Sequence, residues 1–178
     1  MFDSNYMRKR KYLAWRAPII CSAIKKVFHP TSVVDFGCSI GDLVQGFNEI
    51  AVPAIGFDSS EDLFDWSEPE TPIFIQDITQ PLPTHSCFDL SLCVEVLRFI
   101  PDEKFEGLLY NLYNHSKRVL IGYGGDRKKQ LIERMNVYGF ILSVGDEMTL
   151  LRAQLEPWKS KPAVKALYHG GMYFLCGE

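Results

Sequence analysis

From residue 32 onward, short apolar runs alternate with stretches whose apolar positions recur every three or four residues. "SVVDF" (32–36), "AIGFD" (54–58), "IFIQD" (73–77), "DLSLCV" (89–94) and "RVLIGY" (118–123) are rich in Val, Ile, Leu and Phe and bounded by turn residues. That is the pattern of strands covered on both faces. Between them, "PDEKFEGLLYNLYNHS" places Phe105, Leu108, Leu109 and Leu112 on one helical stripe, with Asp102 and Glu103 in the first turn where they oppose the dipole. "DRKKQLIERMNVYGF" aligns Leu131, Ile132, Met135 and Tyr138, and Gly139 suits a left-handed stop. Upstream, Pro18 can open a helix on which Ile20, Ile24, Val27 and Phe28 share a face. Strands alternating with helices predict an α/β sheet with crossover helices.

Two further runs close the chain, "FILSVG" (140–145) and "GMYFLCG" (171–177). No helical stripe stands out between them, so an antiparallel pair is expected. The connection 146–170, with Pro157, Trp158 and Pro162, reads as a long loop that is functional or mobile. Trp158 there is a candidate lid or stacking platform, or a core residue.

Composition narrows the class. With 178 residues, 47% hydrophobic and 23% charged, the chain reads as one domain, 1–178, with an N-terminal helical segment (1–30) and a core (31–178). The formal charge of −3 supplies no bulk attraction to nucleic acid or an anionic membrane. "RKRKYLAWRAPIICSAIKK" (8–26) starts like a signal peptide, but Arg16 interrupts its apolar stretch and the run falls short of the ~20 residues that span a bilayer. The basic residues of "MRKRK" with Arg16, Lys25 and Lys26 form either a solvated flank or an edge for a phosphate-bearing partner. The five cysteines (Cys21, Cys38, Cys87, Cys93, Cys176) contain no C-x-x-C pair, so buried reduced thiols in a cytoplasmic protein are expected, with no zinc site or disulfide framework.

The chemistry concentrates in "VVDFGCSIGDL" (33–43), a strand, a glycine turn and a helix start. A dinucleotide fingerprint starting at Gly37 needs glycines at 39 and 42, where Ser39 and Asp42 stand. The phosphate loop fails for want of a lysine after the turn. The pattern D-x-G-x-G-x-G does fit, as Asp35, Gly37, Ser39 and Gly41, with serine for the middle glycine.

On that stretch, with "GFDSS" (56–60), "IQDI" (75–78) and "FDLSLCVEVLRFIP" (88–101) following in order, the chain resembles the class I S-adenosylmethionine-dependent methyltransferases from about residue 17 to its end. The resemblance implies a three-layer Rossmann-like sheet of about seven strands, mostly parallel with an antiparallel last strand. It implies S-adenosylmethionine as co-substrate and no metal. Gly37 and Gly41 would let the backbone approach the ligand, with Ser39 beside it and Cys38 contacting it mainly through its backbone, and the following helix would offer N–H groups to the methionine carboxylate. Asp35 would hold the ligand's ammonium, Asp58 with neighbouring Ser59 the ribose hydroxyls, and Asp77 with the N–H of Ile78 the adenine. Cys93 and Val94 would pass the methionine moiety. Otherwise each strand-end aspartate reads as a helix cap or turn residue.

The pattern also departs from the family. Many relatives read E-V-L-E-H-I where this chain has "EVLRFI", so Phe99 replaces a histidine and Arg98 a glutamate. Candidates for a general base are therefore Glu95, Tyr123 and His169, each with a structural alternative. The stretch "CVEV" stands where base-amino DNA methylation needs [DNS]-P-P-[YFW], and the chain contains no Pro-Cys dipeptide, which excludes cytosine-C5 chemistry. The expected activity is methyl transfer to an O, N or S nucleophile of a small molecule. The alternatives are a non-catalytic ligand-binding module or partner subunit, and an enzyme acting on RNA or a phosphorylated acceptor.

Overall fold

The β-branched and aromatic runs form strands where the pattern places them. The computed structural model describes residues 4–125, 128–161 and 163–177. In order, its elements are α1 (Ser4–Leu13), α2 (Ala17–Phe28), β1 (Val33–Phe36), α3 (Asp42–Glu49), β2 (Ala54–Asp58), β3 (Ile73–Ile75), β4 (Phe88–Val94), α4 (Phe105–Asn114), β5 (Ser116–Gly122), α5 (Lys128–Tyr138), β6 (Phe140–Leu142), α6 (Glu147–Leu155), α7 (Val164–Gly170) and β7 (Gly171–Cys176). The strands form one seven-stranded sheet of order β3-β2-β1-β4-β5-β7-β6. β1 to β5 pair in parallel, and β7 runs antiparallel to both β5 and β6. The antiparallel β6–β7 pair is as the sequence predicts.

The sheet's period of two divides the core between its faces. Val33, Leu90, Leu92, Leu120 and Tyr173 face a layer built from α2, α3, α6 and α7. Their neighbours Val34, Cys93, Val119, Ile121 and Phe174 face α4 and α5. The predicted stripes of Phe105, Leu108, Leu109 and Leu112, and of Leu131 and Met135, are buried there. On the other face, Ile20, Ile24 and Phe28 of α2 are buried as expected, with Val27 partly so.

Three expectations are corrected. The connection 146–170 is not a bare loop: it carries α6 and α7, anchored by Leu151, Leu155, Val164 and Leu167. Its helices are short, and Pro157 breaks the stripe between them, which hides the period from a sequence window. Of the five cysteines only Cys21, Cys38 and Cys93 are buried, while Cys87 is exposed and Cys176 half-buried. Arg16 is buried rather than part of a basic edge. Lys25 and Lys26 donate to Ile50 O and Gln154 Oε1, so they too are engaged within the chain. Pro162 and the first two residues of "DRKKQ", Asp126 and Arg127, lie outside the described residues. Among the described residues, no helix is long and apolar enough to cross a membrane.

Candidate functional site

Strand order sets the position of the site. β1 has β2 on one side and β4 on the other, so the chain leaves it in opposite directions and opens a crevice beyond its carboxyl end. The glycine turn lies there. Gly37 (φ +80) and Gly41 (φ +76) both take the left-handed conformation that glycine adopts without steric cost. Two hydrogen bonds stitch the turn to β2: the N–H groups of Gly37 and Cys38 donate to Phe57 O at 2.8 and 3.1 Å. The Ser39 N–H then reaches Asp58 Oδ2 at 2.9 Å, and Asp58 Oδ1 accepts from the Ser60 N–H at 3.1 Å. The acid ending β2 is therefore fixed by backbone donors on both oxygens, and each oxygen keeps a lone pair for another partner.

Gly37, Ser39, Asp58, Ser59, Asp77, Ile78, Val94 and Glu95 line one cavity of about 140 Å³, completed by Val96, Phe99 and Ile100. Eight sequence-predicted residues thus converge on one space. Ser39 is strained, at φ +52, and its buried Oγ has no hydrogen-bond partner among the described residues. An orphaned buried hydroxyl costs about 1–3 kcal/mol, so it marks a place for a polar ligand atom. Asp77 Oδ1 accepts from the Thr79 N–H (2.9 Å) and hydroxyl (2.7 Å), and its Oδ2 from Lys104 Nζ (3.1 Å). Partial burial pushes its pKa up, but the Thr79 and Lys104 contacts outweigh that and hold it below the ordinary carboxylate range.

Through Gly37 and Val94 this cavity adjoins a smaller one, which Asp35, Cys38, Asp42 and Arg16 also line. Asp35 and Val94 face that side because they share the pleat phase of Val33 and Leu92. Cys93 has the opposite phase and is buried against α4 and α5, so its expected place beside the ligand is wrong: a one-residue step on a strand changes the face. Burial, reinforced by the negative charge of Asp35, pushes its thiol well above the usual range. Gly41 works as a hinge into α3. A Cβ there would come within 2.7 Å of Thr71 Cγ2, a crowding by protein rather than ligand.

The three candidate bases are dispersed. Glu95, held at φ +63, lines the cavity; its Oε1 accepts from the Gly124 N–H at 3.2 Å and its Oε2 pairs with Arg98. Tyr123 lines a separate cavity of about 710 Å³, with Leu97, Arg98, Phe105 and Arg134, which shares Ile100 with the first. His169 is an exposed residue of α7, its ring against Tyr168, and borders neither cavity. Phe99, where relatives carry histidine, forms an apolar wall. Sequence reasoning missed Val96, Ile100, Asp42 and Arg16 as wall residues; the available signal was Arg16, a charge inside an apolar helical stretch.

A glycine turn bound to a strand-end acid, with a second acid after the next strand in the same crevice, defines an α/β protein with its candidate site at the switch point of the sheet. Comparison with solved structures narrows the fold. The chain is similar to a TehB-like SAM-dependent methyltransferase from Corynebacterium glutamicum, at 21% identity and TM-score 0.69 over 78% of this chain and 83% of that one. It is similar to the magnesium protoporphyrin IX methyltransferase of Synechocystis with bound SAM, at 17% identity and TM-score 0.60 over 80% and 77%. The plantazolicin methyltransferase BpumL, in complex with SAH, matches at 13% identity and TM-score 0.61 over 98% and 89%. The fold is the class I, Rossmann-like methyltransferase fold. No protein-family model matches the chain, and no curated protein matches it in sequence.

Proposed function

We propose that this chain binds S-adenosylmethionine in the cavity beside Asp58 and transfers its methyl group to an O, N or S nucleophile of a small molecule. The observation that carries this reading is Asp58 itself. Its carboxylate ends β2, is anchored by the glycine turn through Ser39, and shares a cavity with Asp77 and Ile78. Ribose hydroxyls at Asp58 and adenine at Asp77 and Ile78 fit that order, and the Ser39 hydroxyl supplies a further polar contact.

The co-substrate carries a methyl group on a sulfonium that leaves readily in an in-line displacement. What remains for the chain is orientation, which can lower a barrier by roughly 7–11 kcal/mol. Glu95, engaged by Arg98 and Gly124, positions the turn after β4, and neither Tyr123 nor His169 borders the cavity. The arrangement favours an acceptor that attacks as a ready nucleophile, such as a thiolate or a neutral amine, over one needing a base from these residues.

Isothermal calorimetry with S-adenosylmethionine and S-adenosylhomocysteine tests the binding. The wild type should give micromolar heats, and Asp58→Asn should weaken both ligands about 10-fold or more while keeping a cooperative melt. No heat with either ligand refutes the reading. Turnover of methyl-labelled donor against a panel of metabolites and RNA then separates enzyme from module: tight binding with no transfer to any acceptor would favour the non-catalytic alternative.

A further inference from the structure

The cavity beside Asp58 adjoins a far larger one of about 710 Å³, within the size range of small-molecule sites. Three consecutive residues after β4 form the partition: Arg98 lines the larger space, Phe99 the smaller, and Ile100 both. Leu97, Phe105 and Leu131 add apolar surface to the larger cavity, and Arg134 of α5 brings a second guanidinium to it. Arg134 is held in place: its guanidinium carbon lies 4.0 Å from the centre of the Phe105 ring, and its Nη groups donate to Asp102 Oδ1 (3.4 Å), Asp102 O (3.4 Å) and Glu106 Oε1 (3.2 Å). Both acids are mostly exposed, and ion pairs of this length facing solvent contribute little. The Nε–H of Arg134 meets no acceptor among the described residues. Arg98 is half exposed and tied to Glu95 through Nη2.

The smaller cavity in turn limits which nucleophile can react. Its carboxylates are engaged: Asp58 by the N–H groups of Ser39 and Ser60, Asp77 by Thr79 and Lys104, and Glu95 by Gly124 and Arg98. A nucleophile that must first lose a proton therefore meets no idle base among the described residues of that cavity. At pH 7 an alkyl ammonium, of pKa about 10, and a thiol, of pKa about 8.5, remain mostly protonated. A carboxyl group, of pKa about 4, is almost fully ionised. Of these three, only the carboxylate arrives ready to attack.

On the reading that the crevice takes S-adenosylmethionine, we infer that the larger cavity admits an organic acid with an apolar body, and that its carboxylate is the methyl acceptor. Guanidinium and carboxylate pair in a planar, two-pronged geometry, so Arg134 selects acids for the cavity and Arg98, in the partition itself, holds the reacting group. Leu97, Phe105 and Leu131 take the apolar body. The step balances without a base. A carboxylate oxygen gives a lone pair to the methyl carbon, the carbon–sulfur bond breaks, and its electron pair stays on sulfur. One anion and one sulfonium become a neutral methyl ester and a neutral thioether, and no proton moves. The ester has lost the charge that the guanidiniums attract, which favours its release.

The test incubates the full chain with methyl-labelled S-adenosylmethionine and counts labelled methanol after alkaline treatment. Methyl esters hydrolyse in base, whereas ethers, thioethers and methylamines do not. The acceptors are phenylacetate, 3-phenylpropionate and indole-3-acetate, each beside its primary amide, and a small-molecule extract of the source cells. Labelled methanol should come from an acid or from the extract, and none from the amides. No labelled methanol from the acids or the extract, or transfer only into base-stable products, overturns the inference. Arg134→Met should lower kcat/KM for the best acceptor by about 10- to 100-fold and change the Kd of S-adenosylhomocysteine by under about 2-fold. Arg98→Met should lower the same kcat/KM by a similar factor and serves as the second variant should Arg134→Met fail to fold. Unchanged kcat/KM in the variants that fold overturns the role of the cavity. Calorimetry keeps the two readings apart: heat with S-adenosylhomocysteine but no labelled methanol sinks this inference alone, whereas no heat sinks the donor reading as well.

Discussion

Replacing Gly37 by alanine separates two reasons for a glycine at the turn. The sequence suggests that a side chain there would strike the ligand. The structure supplies a nearer obstacle: a Cβ at 37 would lie 2.5 Å from Val96 Cγ2, 2.8 Å from Cγ1 and 3.2 Å from Cβ, on a residue held at φ +80. The left-handed conformation costs alanine about 1–2 kcal/mol. Forcing the two methyl groups aside adds about 1–3 kcal/mol, since Val96 is half-buried and gives only partly. Gly37→Ala should therefore destabilise the fold by about 2–5 kcal/mol with no ligand present.

A double-mutant cycle isolates the steric part. Val96→Ala removes both methyl groups and leaves one contact, at 3.2 Å. Alone it should cost about 1 kcal/mol, as a half-buried truncation. The double variant should recover about 1–3 kcal/mol relative to additivity, while the backbone cost of about 1–2 kcal/mol persists. Urea unfolding followed by far-ultraviolet circular dichroism, analysed by linear extrapolation, measures each corner. If Gly37→Ala melts like wild type and loses only ligand affinity, or if the two changes add within about 0.5 kcal/mol, the contact with Val96 is not what selects glycine.

Ser39→Gly should stabilise the ligand-free fold by about 1 kcal/mol, by relieving the φ of +52 and removing the orphaned hydroxyl, yet weaken S-adenosylhomocysteine several-fold; chemical unfolding and calorimetry read the two opposite signs. Cys93→Ser should cost about 1–3 kcal/mol in the same unfolding assay, by burying a hydroxyl between β4 and α4, and leave ligand affinity unchanged, because that pleat position faces away from the crevice. Asp89→Asn should cost about 2 kcal/mol at pH 7, since Asp89 Oδ2 accepts from the Thr31 N–H at 2.9 Å and from Arg118 Nη2 at 2.6 Å, tying β1's approach, β4 and β5 together. Burial pushes the Asp89 carboxyl up, but Thr31 and Arg118 outweigh it and hold its pKa below the ordinary carboxylate range. A depressed folded pKa means stability fully present above the unfolded value of about 3.9 and lost as pH falls through the lower folded one, so thermal melts of Asp89→Asn should show a shallower loss below about pH 4 than the wild type.

What the sequence disclosed and what it withheld divide along one physical line. Strands covered on both faces announce themselves through local composition, so β1, β2 and β4 lie within a residue or so of their predicted ranges, and the stripe on α4 is buried as counted. The motif residues of the cavity beside Asp58 are equally legible, because each sits at or just after a strand end, where position along the chain fixes position in space. Contacts made across the fold have no local period. Val96 matters to Gly37 because β4 emerges beside β1, and Arg16 lines one small cavity with Asp35 and Asp42 because the turn leading into α2 lies on the face that carries them. Cys93 failed for a related reason: a motif supplies a segment, whereas the pleat decides which of two adjacent side chains meets the ligand, and only pairing with β1 and β5 fixes that phase. A glycine turn read in the sequence thus fixes where the backbone bends, while the walls around it, Val96 among them, are set by the order of the strands.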